Sequence, residues 1–77
     1  PKIKLYPNPT QDEIQISSSE SRFTFTIRNL TGRKLIESII DQQNHRTSLS
    51  TFPPGIYILT IQFSESGNTL TRLILKQ

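Results

Sequence analysis

The chain contains no cysteine, which excludes a disulfide framework, a thiolate metal site and a cysteine nucleophile while leaving the redox compartment open. Alanine and valine are also missing. Losing alanine removes the best helix former, and the abundance of isoleucine and threonine favours strands. The longest unbroken apolar run is Ile56 to Leu59, far short of the roughly 20 residues a helix needs to span a bilayer. Charge is sparse and mixed. The net +3 comes from nine Lys and Arg scattered among six acids, with Arg33-Lys34 the only adjacent basic pair. A nucleic-acid face would gather cations along one groove and interleave aromatics for stacking, and only four Phe and two Tyr are present.

What remains is a chain able to fold as one unit. Seventy-seven residues place it near the lower limit for a single unaided apolar core, so residues 1–77 are expected to form one domain. Leu, Ile and Phe total 23, above the range in which a chain stays disordered. Pro1 in place of an initiator methionine sets the expectation of a segment from a longer protein.

The clearest periodicity is Arg22 to Arg28, where Phe23, Phe25 and Ile27 share one face of a half-buried strand. Ile3 and Leu5 alternate before the sequence YPNPT (Tyr6 to Thr10), and Ile14 and Ile16 alternate after it. Pro7 and Pro9 lack an N–H and push Tyr6 and Asn8 toward extended geometry, so this segment should end the first strand and turn the chain. Thr31-Gly32 reads as a hairpin loop with Gly32 at positive φ. Residues 33–41 are ambiguous. Leu35, Ile36, Ile39 and Ile40 have helical spacing, but three of the four are β-branched and no capping box precedes them, which favours a strand with a bulge. Asp41 to Arg46 reads as a polar loop and Thr47 to Leu49 as a short strand. Pro54 and Gly55 suit the central positions of a type II turn. That turn would launch the longest strand, in which Tyr57, Leu59, Ile61 and Phe63 share a face and Ile56 and Ile58 are partly buried on the other. Glu65 to Asn68 reads as a hairpin turn before a last strand from Leu70 to Lys76. Seven short strands at about ten-residue intervals describe an all-β, antiparallel, immunoglobulin-like or Greek-key sandwich.

Nothing in the chain demands catalysis. His45, the only histidine, has no nucleophile motif beside it. Asp12 and Glu13 are adjacent and would point to opposite sides of a strand, a poor arrangement for a metal or an acid–base pair. Asn29-Leu30-Thr31 fits a glycosylation sequon but coincides with a hairpin end, and Thr31-Gly32-Arg33-Lys34 lacks the glycine pattern of a phosphate loop. Tyr57 lies on the apolar face and reads as core rather than as a ligand-stacking ring. No cofactor, metal or catalytic residue is expected.

YPNPT with Ile14-Gln15-Ile16, then NLTGRKL, then LSTFPPGIYILTI, then TRLILKQ resembles, in order and across essentially the whole chain, the type A C-terminal sorting domain of the type IX secretion system. The resemblance implies a seven-strand sandwich at the end of a cargo protein of gram-negative bacteria. It implies a non-enzymatic secretion signal, read by the outer-membrane translocon and shuttle proteins and commonly removed by a sortase-like protease. The cargo would be the N-terminal part of the same chain, passing through the periplasm to the cell surface or medium, with neither nucleic-acid binding nor membrane insertion by the domain itself. The family's proline motif falls on Tyr6, Pro7, Asn8 and Pro9. Its turn glycine falls on Gly32, its Gly-x-Tyr on Gly55 and Tyr57 after Pro54, and its terminal strand on Arg72, Leu73, Ile74, Leu75 and Lys76, where sorting recognition is expected. Two positions depart from the pattern: Phe52 replaces a leucine, and Thr71-Arg72 replaces a lysine-rich strand start. Deleting Arg72 to Gln77 should unfold so small a domain, with Leu73 and Leu75 each contributing about 1.5 to 3 kcal/mol of burial. A carbohydrate-binding or adhesive sandwich is the competing reading. It requires two or more aromatics exposed on a flat face.

Overall fold

The structure, a computed structural model, describes residues 2–77. Seven strands follow in order: β1 (Ile3–Tyr6), β2 (Glu13–Ser18), β3 (Phe23–Arg28), β4 (Lys34–Ile40), β5 (Asn44–Ser48), β6 (Gly55–Phe63) and β7 (Thr69–Lys76). All strand pairs are antiparallel, in a three-stranded sheet β1-β2-β5 and a four-stranded sheet β4-β3-β6-β7. The fold is therefore the expected all-β sandwich. Ile14 and Ile16 from β2 meet Phe23, Phe25 and Ile27 from β3, Leu59, Ile61 and Phe63 from β6, and Ile74 from β7 in one dry core. Alternation with period two carries these side chains inward and their neighbours out.

Residues 33–41 are resolved in favour of the strand. Opposite β3, Ile36 pairs with Ile27 but Lys34 pairs with Arg28, so Leu35 is the extra residue of a bulge. That insertion leaves Leu35 and Ile36 both half-buried while Ile39 is exposed, which imitates helical spacing in the sequence. The preceding hairpin is as expected: Gly32 has φ 91°, and its N–H donates to the Asn29 carbonyl at 3.0 Å. The Asn29 side-chain oxygen accepts from the N–H groups of Thr31 and Arg33 and from the Thr31 hydroxyl, so the sequon asparagine builds the turn. Gly67, at φ 74°, serves the β6–β7 hairpin in the same way, donating to the Phe63 carbonyl.

Two local expectations are corrected. Asn44, His45 and Arg46 are not loop but strand, paired through β5 with Ser17, Ile16 and Gln15. His45 turns partly inward, its ring 5.2 Å from that of Phe25. Pro54-Gly55 does not form a type II turn, because Gly55 has φ 156° and already pairs with Lys76, whereas that turn needs about 80°. The hydrogen-bonded turn lies earlier, where the Phe52 N–H donates to the Leu49 carbonyl at 3.0 Å. Prolines 53 and 54 then carry the chain into β6 without offering donors.

Candidate functional site: the terminal strand and its edge

Antiparallel strands that alternate in direction place every second connection at the same end of a sandwich. Residues 7–12, 29–33 and 49–54 share one end with the C-terminus of β7. The segments YPNP, NLTG, PPGIY and LILK, far apart in sequence, thus converge in space.

The first of them does more than turn the chain. β7 is the outermost strand of its sheet, and an outermost strand exposes unpaired backbone groups. Asn8 meets this edge with its side chain: Nδ2 donates to the Leu73 carbonyl at 2.8 Å, and Oδ1 accepts from the Leu75 N–H at 3.0 Å. One amide stands in for a residue of a neighbouring strand. Thr10 continues the pairing with its backbone, donating to the Leu75 carbonyl at 2.9 Å and accepting from the Gln77 N–H at 2.8 Å, in a parallel bridge to Lys76. Thr10 is itself buried, and its hydroxyl donates to the Glu13 carbonyl. Asp12 accepts the Leu49 N–H on its carbonyl and the Ser48 hydroxyl on its carboxylate, so this acid anchors a turn.

β7 has two different faces, and their assignment reverses the sequence expectation. Leu73 and Leu75 are 60% and 42% exposed, whereas Ile74 is fully buried and Lys76 only 7% exposed. The burial attributed to Leu73 and Leu75 belongs to Ile74. Lys76 points inward, and its ammonium donates to the Phe52 carbonyl. Beside it the Tyr57 hydroxyl donates to the Pro53 carbonyl, and the Phe52 and Tyr57 rings lie 5.9 Å apart. The Phe52–Tyr57 block therefore clamps the end of β7 from within. Arg72 remains exposed, its guanidinium donating to the Thr71 carbonyl at 3.0 Å.

On the outer face, Ile56 pairs with Leu75 and Ile58 with Leu73, which makes a contiguous apolar area. Ile56 is exposed rather than partly buried, while Ile58 is half-buried as expected. Together with Asn8 and Pro9, Ile56, Leu73 and Leu75 border a shallow depression of about 330 Å³. Farther from this end, the same face turns polar with Thr60, Thr71, Gln62 and Thr69. Among the residues expected to matter, Asn8, Pro9, Gly55, Tyr57 and Leu73 to Lys76 are brought together. Tyr6, Pro7 and Gly32 lie at the same end but outside that set of contacts. Thr10 is the position pairing with this edge that the sequence did not single out. Its only sign was its place directly after the proline motif.

The competing faces do not assemble. Phe23, Phe25, Phe63 and Tyr57 are buried, and Tyr6 is the one well-exposed aromatic among the described residues, so no flat aromatic platform exists. Arg22 and Arg28 stand at opposite ends of β3, with Arg22 3.5 Å from Asp41 and Lys34 3.2 Å from Glu37. The Lys34 hydrogen bond, followed by the Lys34 charge, holds the Glu37 carboxyl below its usual range. These cations face acids instead of gathering into a phosphate-binding groove.

A comparison with protein families matches residues 4–76 to a model described as the secretion system C-terminal sorting domain. No curated protein matches the chain.

Proposed function

The chain belongs to the family of secretion system C-terminal sorting domains, the sorting signals of type IX secretion, and we propose that the outer face at the end of β6 and β7 is the surface by which its export machinery reads it. The observation that carries this reading is the division of β7. A domain this small has little apolar surface to spare, yet it leaves Ile56, Leu73 and Leu75 facing water beside one another. An exposed apolar cluster with a polar surround is the usual mark of a protein-docking surface.

In this reading Ile74, Lys76, Tyr57 and Gly55 act from inside, holding β7 in the register that presents Leu73 and Leu75. Asn8, Pro9 and Thr10 fix the strand from its edge. The chain serves as the C-terminal domain of a larger cargo polypeptide, is read by translocon and shuttle proteins after periplasmic transit, and is a substrate for a sortase-like protease. Its role is that of an address label, so the proposal assigns it no reaction of its own.

The test is a fusion. A passive periplasmic reporter carrying residues 1–77 at its C-terminus is expected at the cell surface or in the medium of a host with type IX secretion, and inside the envelope of the same host lacking the translocon. A reporter retained in the first host, with the appended domain folded, refutes the proposal.

A further inference from the structure

The edge of β7 is only half covered. Because Leu73, Leu75 and Gln77 direct backbone groups toward residues 8–10, the odd-numbered positions of β7 face away from β6, and by strand alternation Thr71 and Thr69 do so as well. Asn8 and Thr10 engage this edge from the Leu73 carbonyl onward. Before that point the N–H groups of Thr71 and Leu73 face outward with no partner among the described residues, and the Thr71 carbonyl is met only by the guanidinium of the next residue, Arg72.

The other outermost strands are guarded in the ways that commonly prevent edge pairing. β1 is four residues long, has Lys4 exposed with the exposed Lys2 just before it, and is followed by Pro7 and Pro9. β4 carries the Leu35 bulge and the exposed charges Lys34 and Glu37. β5 is five residues long with an exposed Arg46 at its centre. From Thr69 to Leu73, β7 has no proline and no bulge; its one exposed charge, Arg72, covers only the Thr71 carbonyl and leaves the Thr71 and Leu73 N–H groups open, and the stretch ends on a largely exposed leucine.

We propose that the Thr69–Leu73 edge of β7 is a strand-addition site that takes an extended segment of a translocon protein, continuing outward the pairing that Asn8 and Thr10 begin. This rests on the sorting reading above and specifies its mode of contact. Unpaired, regularly spaced N–H and C=O groups are complementary to another strand and to little else, and the isolated Thr10–Lys76 bridge shows that this edge already accepts backbone pairing from a neighbouring segment. An added strand supplies an N–H to the Thr71 carbonyl. That releases the Arg72 guanidinium, which then meets a carboxylate on the incoming segment. A neighbouring apolar side chain of that segment settles in the depression bordered by Pro9, Ile56, Leu73 and Leu75. The occupant is therefore an extended stretch combining an apolar residue with an acidic one.

Amide hydrogen exchange of the isotopically labelled domain, alone and with detergent-solubilised type IX translocon, tests this directly. The Thr71 and Leu73 amides are expected to slow by about tenfold or more in the complex. Thr71→Pro removes the outward N–H without breaking an internal ladder bond, a substitution outermost strands tolerate. It should abolish binding while Thr71→Ser retains it. If wild-type domain binds yet both amides exchange at their free rates, the edge is not the contact, whatever Thr71→Pro does to the fold. Retained binding by a folded Thr71→Pro domain overturns the proposal equally. If wild-type domain does not bind at all, it is the sorting reading that fails, and this inference falls with it.

Discussion

Replacing Ile74 by alanine and, separately, Leu73 by alanine should have very unequal consequences, although the residues are adjacent in one strand. Ile74 is completely buried between the sheets and pairs with Tyr57, whereas Leu73 is 60% exposed. Truncating a buried isoleucine removes its transfer free energy and leaves a cavity, a loss of about 2 to 5 kcal/mol. At roughly 0.05 to 0.15 kcal/mol per residue, a chain of this length has only about 4 to 12 kcal/mol of total stability. Ile74→Ala therefore consumes a large part of it. With each kcal/mol worth about 4 to 8 °C in a domain of this size, the melting temperature should fall by about 10 °C or more. Leu73→Ala leaves no cavity, and its effect should stay within about 0.5 kcal/mol. Thermal unfolding followed by circular dichroism, with urea titration to check that m is unchanged, measures both. Equal losses from the two substitutions, or an unaffected Ile74→Ala, would refute the assignment of the two faces.

Other perturbations probe the edge, the clamp and the turns. Asn8→Ala removes both side-chain bonds to β7 at an exposed site, and urea titration should register a loss of about 1 kcal/mol. Lys76→Ala leaves the Phe52 carbonyl without its donor and should cost about 1 to 3 kcal/mol. If Lys76 acts only from within, reporter export by Lys76→Met should persist wherever the domain remains folded. Gly32→Ala forces a side chain into the left-handed region at φ 91°, and calorimetry should show a loss of about 1 to 2 kcal/mol. Glu37 has its carboxyl pKa lowered from 4.5 by Lys34, so its contribution is present above the unfolded value and disappears as pH falls through the folded one. Stability measured across that acid range should therefore decline less steeply in Glu37→Gln than in the parent.

The sequence makes the sandwich legible wherever apolar residues alternate cleanly. Phe23, Phe25 and Ile27 mark β3, and Tyr57 to Phe63 mark β6, because one buried face per strand imposes period two. β5 is illegible for the opposite reason: Asn44 to Ser48 contains no apolar residue, and its strand character comes from pairing with β2. β7 misleads through its composition. Leu73-Ile74-Leu75 is apolar in both phases, and two leucines outweigh one isoleucine until the sheet fixes which side is in. Lys76 reads as surface charge, yet its stem is buried and its amine reaches a carbonyl. The family resemblance could identify YPNP and LILK as belonging together without saying why. The reason is the pairing of Asn8 and Thr10 with β7 across more than sixty residues of chain, which no local pattern encodes.

The claim that ties these observations together is that the outer side of β7 is read while its inner side only holds it in place. The most direct measurement is export of the reporter fused to Leu73→Glu/Leu75→Glu, alongside Gln62→Glu on the polar part of the same face, with the melting temperature of each isolated domain. On that claim, the leucine double variant stays folded and its reporter remains in the envelope, while the Gln62→Glu fusion is exported like the parent. Normal export of the folded double variant would contradict it.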